Sequence, residues 1–286
     1  MAISYSHKFG QIIGDSLELA VEPFLRDFSQ RNKLYLDVKG PRTARSGLKL
    51  TWEDINNNRH DLDFVLEKNG TDLKIGDPVA FIECAWRRYT KHSKNKAQEI
   101  QGAIMPLFEK YKKYYPFLGV ILAGEFTSTS LTQLQSLGFS ILFISYDKII
   151  EAYKTIGIDA YFDEETKEDH FHNQVIKWEK ANDHDKTKVY NAIAEFCLLE
   201  INKFISELQI KIDRNVSLCR IWTIYGKLFE FTDLTIAREF LTAFTTVPNN
   251  TEFLRFEVEI EYSNGDVIRA SYKNKNDLIT FIAQFI

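Results

Sequence analysis

Apolar residues at Phe9, Ile12, Ile13, Leu17, Ala20, Val21, Phe24, Leu25 and Phe28 recur with a helical period, which predicts an amphipathic first helix over 8–31. KLYLDVKG (33–40) reads as a strand. Residues 41–60 read as a polar loop too long to be a mere connection. From His60 to Glu67 the chain alternates, with Leu62, Phe64 and Leu66 on one face and Asp61, Asp63 and Val65 on the other, a half-buried strand with acids on its second face. PVAFIECAW (78–86) is the next strand, reached through the turn signals Asn69-Gly70 and Gly76-Asp77-Pro78. A helix then presents Ala97, Ile100, Ile104, Leu107, Phe108 and Tyr111 on one stripe, with Pro106 expected to kink or divide it.

FLGVILAG (117–124) and SILFIS (140–145) have the continuous apolar character of fully buried strands. STSLTQLQSLG (128–138) and YDKIIEAYKTIG (146–157) read as helices. The order αβββαβαβα implies an α/β fold, a mixed central sheet flanked by helices on both faces, with Asp63 and Glu83 on neighbouring strands of a hairpin. Beyond residue 160 the chain turns strongly polar. The expected organisation is a core over 1–160, a polar linker over 161–186 and an α+β part over 187–286. That last part starts with a long helix (187–209). A strand (217–225), a helix (234–244), a hairpin (253–272) turned by Asn264-Gly265 and a final helix (275–286) follow.

Composition narrows the class. With 44% hydrophobic residues in 286 there is ample material for a core, and 13 Gly and 6 Pro are too few for a collagen-like or linker-dominated chain. No internal repeat is present. Cys84, Cys197 and Cys219 are widely spaced and odd in number and are expected to be reduced, which suits a cytoplasmic protein. The N-terminal residues carry no basic segment followed by an apolar run, and the longest apolar stretch is of strand length, so no membrane association is expected. A net charge of −4 decides nothing about a polyanionic partner, because the local footprint matters more than the sum.

That footprint is uneven. Carboxylates on one face of adjacent strands, about 4.8 Å apart, can share a small cation with ligand distances of about 2.1 Å, as magnesium requires. An ionised Glu83 at the end of Val79-Ala80-Phe81-Ile82 is costly unless it is paired or metal-bound. Immediately afterwards RRYTKHSKNK places Arg87, Arg88, Lys91, Lys94 and Lys96 in ten residues without an acid, and Arg42, Arg45 and Arg59 arrive from the preceding loop. A metal-sized site beside a phosphate-sized one points to Mg²⁺-dependent cleavage of a nucleic-acid phosphodiester.

The element order over 8–145, with an acid on the second strand and IEC near the end of the third, resembles the PD-(D/E)XK nuclease superfamily, especially type II restriction endonucleases. The resemblance implies that Asp63, or Asp61 two positions earlier, is the first metal-binding acid, that Glu83 is the second, and that Glu18 on the first helix is a further acid near the metal. It also implies double-stranded DNA as substrate and a homodimer suited to palindromic sites. The sequence departs from the motif at Ala85, where the family places a lysine. Three explanations are open: the lysine has moved to the following helix, with Lys94 the expected replacement; alanine is an engineered substitution; or the protein binds without cleaving. A repair or junction-resolving nuclease on the same scaffold is the alternative enzyme.

Other features read as structural. His60 beside Asp61 is expected to be a structural histidine, and His170 and His172 lie in a polar stretch with no further ligands at metal spacing. Trp52, Trp86 and Tyr89 are expected to pack. GQIIG falls inside a helix, and no GxxxxGK[ST], HExxH or GxSxG is present.

Overall fold

In the computed structural model, residues 4–223, 227–245 and 255–286 are described. α1 (Tyr5–Arg31) starts at Ser4, whose hydroxyl accepts the His7 N–H, and buries Phe9, Ile13, Leu17, Val21, Leu25 and Phe28 as its period predicts. β1 (Tyr35–Val38) follows. The supposed loop then contains a hairpin of its own, β2 (Leu50–Glu53) and β3 (Arg59–Leu62), paired antiparallel with Thr51 opposite Asp61. β4 (Phe64–Lys68), β5 (Asp77–Arg87) and α2 (Ser93–Lys110) come next, and α2 runs through Pro106 without dividing.

β6 (Phe117–Gly124) is buried along its whole length, followed by α3 (Ser128–Ser136), β7 (Phe139–Ser145) and α4 (Tyr146–Lys154). The five-stranded sheet has the order β1-β4-β5-β6-β7. β1, β4 and β5 pair antiparallel, whereas β5, β6 and β7 are parallel. This is the mixed sheet flanked by helices that the pattern implies. The parallel half needs crossover helices, which α2 and α3 provide. Between sheet and helices lies an apolar cluster including Val65, Phe81, Ala85, Ala97, Ile100 and Ile104.

Residues 161–186 are not a linker. They carry α5 (Glu168–Lys180), and α6 (Asp183–Phe196) begins before they end. Phe171, Val175 and Trp178 sit at i, i+4 and i+7, a stripe masked by the surrounding charge; Phe171 packs against Phe9 and Phe162, and Trp178 against Tyr153. The long helix expected over 187–209 is interrupted at Cys197 and continues as α7 (Leu198–Ile212). The chain divides into two compact units, Met1–Leu208 and Gln209–Ile286, so the boundary lies well beyond residue 160 because α5, α6 and most of α7 belong to the first unit. Gly119 on β6 has no room for a side chain, since a Cβ there would meet Phe117, Phe204 of α7 and Ile82 within 3 Å.

The second unit is α+β, as its pattern suggests. β8 (Val216–Thr223), β9 (Lys227–Phe231), α8 (Leu234–Ala243), β10 (Phe256–Tyr262), β11 (Val267–Tyr272) and α9 (Lys275–Ile282) form an antiparallel sheet of order β11-β10-β8-β9. Its helices share a core with Cys219, Ile221, Val258 and Ile260. Gly265, at φ +85°, makes the expected Asn-Gly turn between β10 and β11. Ile224 and Tyr225 of the expected first strand, and Phe253 and Leu254 of the hairpin, lie outside the described residues. Among the described residues no helix is long and apolar enough to cross a membrane.

Arg42 ties the polar loop to the main sheet. Its guanidinium donates to Asp37 of β1 at 2.6 Å, to both carboxylate oxygens of Glu67 of β4 at 2.6 and 2.9 Å, and to the carbonyls of Thr71 and Lys74. All three charged side chains are almost fully enclosed. Arg42 was expected among the DNA contacts, and this burial corrects that expectation: five directed donors are consumed inside the protein. Removing it leaves Glu67 buried without a cation and Asp37 with Arg45 alone. Arg42→Met is therefore expected to destabilise the first unit by about 3–5 kcal/mol. Urea unfolding followed by circular dichroism checks this, and a loss below about 1 kcal/mol would show that the node contributes little net stability.

Candidate active site

The hairpin register creates the site. β4 and β5 pair with Phe64 opposite Ile82 and Val65 opposite Phe81, so one step beyond the ladder Asp63 stands across from Glu83. The Cys84 N–H donates to Asp63 Oδ2 at 2.6 Å, which anchors the acid at the strand entrance. Alternation on β5 puts Glu83 on the same side as Phe81 and Ala85, the side packed against α2.

Lys96 enters from that helix. Its Nζ lies 3.7 Å from Glu83 Oε1 and 3.6 Å from Glu99 Oε2. Lys94 was expected to fill this role, but it is exposed, and none of the ion pairs among the described residues joins it to either acid. Helical geometry decides between the two. At about 100° per residue Lys96 lies about 60° from the middle of the buried stripe of α2, and Lys94 about 100° away on its other flank. Ala85 itself is buried in the cluster between β5 and α2.

Asp61, the alternative to Asp63, lies on a different strand and in a different sheet from the one that Asp63 enters. The alternating segment 60–67 breaks at Asp63 into β3 and β4, which belong to different sheets. Asp61 faces solvent, where Lys49 Nζ at 2.5 Å and the Thr51 hydroxyl at 2.6 Å bind it and hold its carboxyl below the usual range. It is therefore corrected from metal ligand to surface ion pair.

The electrostatics of the remaining acids are unusual. Burial, and then the neighbouring Asp63, push the Glu83 carboxyl up to about 8. Burial followed by Asp63 and Asp15 raises Glu18 on α1 to about 7. Asp63 is raised too, chiefly by burial, although the Cys84 N–H and the charges of Lys96 and Lys39 oppose the shift. Burial and the same acids push the Cys84 thiol up, which disfavours the thiolate there. The three acids that sequence reading grouped thus share one field. Asp15, one turn before Glu18, and Lys39 were missed, although the i, i+3 spacing of Asp15 and Glu18 was visible.

Among the described residues no three His, Cys, Asp or Glu side chains stand close enough together to hold a metal by themselves. Magnesium makes a smaller demand: it usually binds through one or two carboxylates and completes its octahedron with water and substrate phosphate. Two desolvated, mutually repelling carboxylates with hard oxygen donors fit that ion, since a divalent cation relieves the repulsion that raises their pKa values.

The basic residues divide into three groups. Arg88 stacks over Tyr146 at 4.2 Å and donates to the Phe162 carbonyl, a packing role. Arg45 is largely enclosed, with Nη2 within 3.3 Å of Asp37 Oδ1 and 2.7 Å from the Val38 carbonyl, so it braces the loop and is corrected, like Arg42, from DNA contact to structure. Arg87, Lys91 and Lys94 reach solvent, although Arg87 lies 3.6 Å from Glu99 and Lys91 pairs with Glu164. His60 holds Asp54 at 2.8 Å and braces the β2–β3 turn, the structural role expected of it. An open depression of about 560 Å³ lined by Pro41, Thr43, Gly47 and Leu48 belongs to the polar loop and contains neither Asp63 nor Glu83.

No family model matches this chain, and no curated protein matches it. Among solved structures, the crystal structure of a protein of unknown function, AF1548, is 10% identical with a TM-score of 0.30, covering 67% of this chain and 96% of that one. A likeness at that level carries no argument about fold or function.

The raised Glu83 carboxyl has a measurable consequence. It keeps its proton to about pH 8 in the fold but loses it near its ordinary value of 4.5 when unfolded. The folded state binds that proton more tightly, so the associated stability is complete below 4.5, falls as pH rises and is gone above about 8. Glu83→Gln, which cannot ionise, is expected to raise the Tm by a few degrees at pH 8.5 and to leave it unchanged near pH 4. Calorimetry at the two pH values checks this; identical melting at pH 8.5 contradicts a desolvated carboxylate.

Proposed function

We propose that the protein is a Mg²⁺-dependent endonuclease that hydrolyses phosphodiester bonds of double-stranded DNA, of the type II restriction kind. The observation that carries the reading is the juxtaposition of Asp63 and Glu83, raised together in pKa, with the Lys96 ammonium 3.7 Å from Glu83. Asp63 and Glu83 would hold the cation, with Glu18 as a further acid beside it. When bound, the ion supplies positive charge to the phosphate and lowers the pKa of a water.

The protein's own groups account for the rest. Water attacks phosphorus, the bond to one bridging oxygen breaks, and that oxygen leaves with a proton. Lys96 places a fixed positive charge beside the acids, where it stabilises charge developing on the phosphate and orients the water. It takes the place of the lysine that the PD-(D/E)XK pattern puts at Ala85. Arg87, Lys91 and Lys94 track the DNA backbone, and symmetric sites call for a homodimer. The open face of the second unit's sheet carries Glu257, Glu259 and Glu261 on one strand, with Arg220 committed to Glu230, Glu259 and Glu261. It does not suit a phosphate backbone, which leaves dimerisation or base recognition to that unit.

Ala85 favours a second reading, a DNA-binding protein of the same fold without activity. Incubation with plasmid and Mg²⁺ separates the readings: discrete fragments are expected for a restriction enzyme, structure-specific nicks for a repair or junction enzyme, and a mobility shift alone for a binder. Glu83→Ala is expected to abolish cleavage while retaining DNA binding. Lys96→Ala is expected to lower kcat about 10²–10³-fold and Lys94→Ala to change it little; the reverse order would remove Lys96 from the site.

A further inference from the structure

The row that carries the two acids extends one strand further. β1 pairs antiparallel with β4 with Val38 opposite Phe64, and Phe64 lies opposite Ile82 of β5. One residue on, the three chains present Lys39, Asp63 and Glu83 side by side, and directly opposed residues project to one face of a sheet. β1 is the edge of that sheet, so Lys39 closes the row on its open side.

The backbone around Lys39 is held while its side chain is exposed. Arg45 Nη2 binds the Val38 carbonyl at 2.7 Å, and the Gly40 N–H donates to the Leu48 carbonyl at 2.8 Å. Of the cations from the basic run and the polar loop, Lys96 is engaged by Glu83 and Glu99, Arg87 by Glu99, Lys91 by Glu164 and Lys49 by Asp61, whereas Lys94, on the far flank of α2, has no ion pair among the described residues. Among the described residues Lys39 has no ion-pair partner, although its charge is felt by both Asp63 and Glu18. A pinned Cα with an uncommitted ammonium at the solvent end of an acidic row is the arrangement an incoming anion meets first.

We propose that Lys39 is a phosphate-binding residue of the substrate site and receives the DNA backbone as it crosses the acidic row from the β1 edge. This rests on the nuclease reading and adds the direction of approach. An alternative role, merely offsetting the repulsion between Asp63 and Glu18, makes different predictions.

The test uses the full chain, wild type, Lys39→Gln and Lys39→Arg, with a short fluorescent duplex of mixed sequence titrated in EDTA over a range of salt, and plasmid cleavage in Mg²⁺ alongside. Lys39→Gln is expected to bind the duplex about three- to tenfold more weakly at low salt, with the slope of log K on log[salt] shallower by about 0.9, and Lys39→Arg to restore both. Stabilisation of Lys39→Gln by Mg²⁺ is expected to be kept or increased, because a positive charge beside the acids has gone; a misfolded variant would lose both responses and Lys39→Arg would then decide. Unchanged affinity and slope in Lys39→Gln, with wild type cleaving DNA, overturn the Lys39 assignment alone. Wild-type binding without cleavage overturns the nuclease reading and leaves the Lys39 comparison decisive, whereas no binding by wild type overturns both.

Discussion

The structure turns on one register. Pairing Phe64 with Ile82 brings two carboxylates side by side at the end of a hairpin where water is scarce. Burial holds both toward the neutral form, and the two repel one another once ionised, so ionising the pair together is costly without a cation between them. A shift of one residue in the ladder would turn one acid to the other face and remove the conflict. The register is held by apolar side chains, Val65 and Phe81 on one face and Phe64 and Ile82 on the other, which allow no such slip without exposing the core.

The cations around this centre have distinct duties that their shared charge conceals. Arg42 and Arg45 are spent on Asp37, Glu67 and backbone carbonyls, and so hold the polar loop against β1 and β4. That bracing also sets the backbone on either side of Lys39. Arg88 is absorbed by a cage of aromatic rings and a carbonyl, whereas Lys96, on the helix above the strand, is the cation that reaches an acid of the pair. Burial and directed donors separate a structural arginine from one that a phosphate backbone could approach.

Much of this was legible along the chain. The α1 stripe, the continuous apolar strands β6 and β7, the Asn264-Gly265 turn and the opposition of Asp63 and Glu83 follow from periodicity and turn chemistry, which are local properties. The misreadings share a cause. Residues 41–60 hid a hairpin because β2 and β3 are short and polar, and 60–67 looked like one strand because alternation continues through a bend. Residues 161–186 looked like a linker because charge outnumbers the three apolar positions that dock α5. In each case the local pattern was real, but its partner lay elsewhere in the chain.

By itself the sequence determined the class of fold, the order of the elements that build the main sheet and the presence of two acids on adjacent strands, because spacings of two and 3.6 residues are written directly in the order of side chains. Only the tertiary structure decided where each cation stands: Lys96 beside Glu83 with Lys94 on the exposed flank of its helix, Lys39 at the sheet edge, and Arg42 withdrawn into the interior. Charge is visible in a sequence, but the service a charge performs depends on distance and desolvation. Those exist only once segments far apart in the chain have packed together.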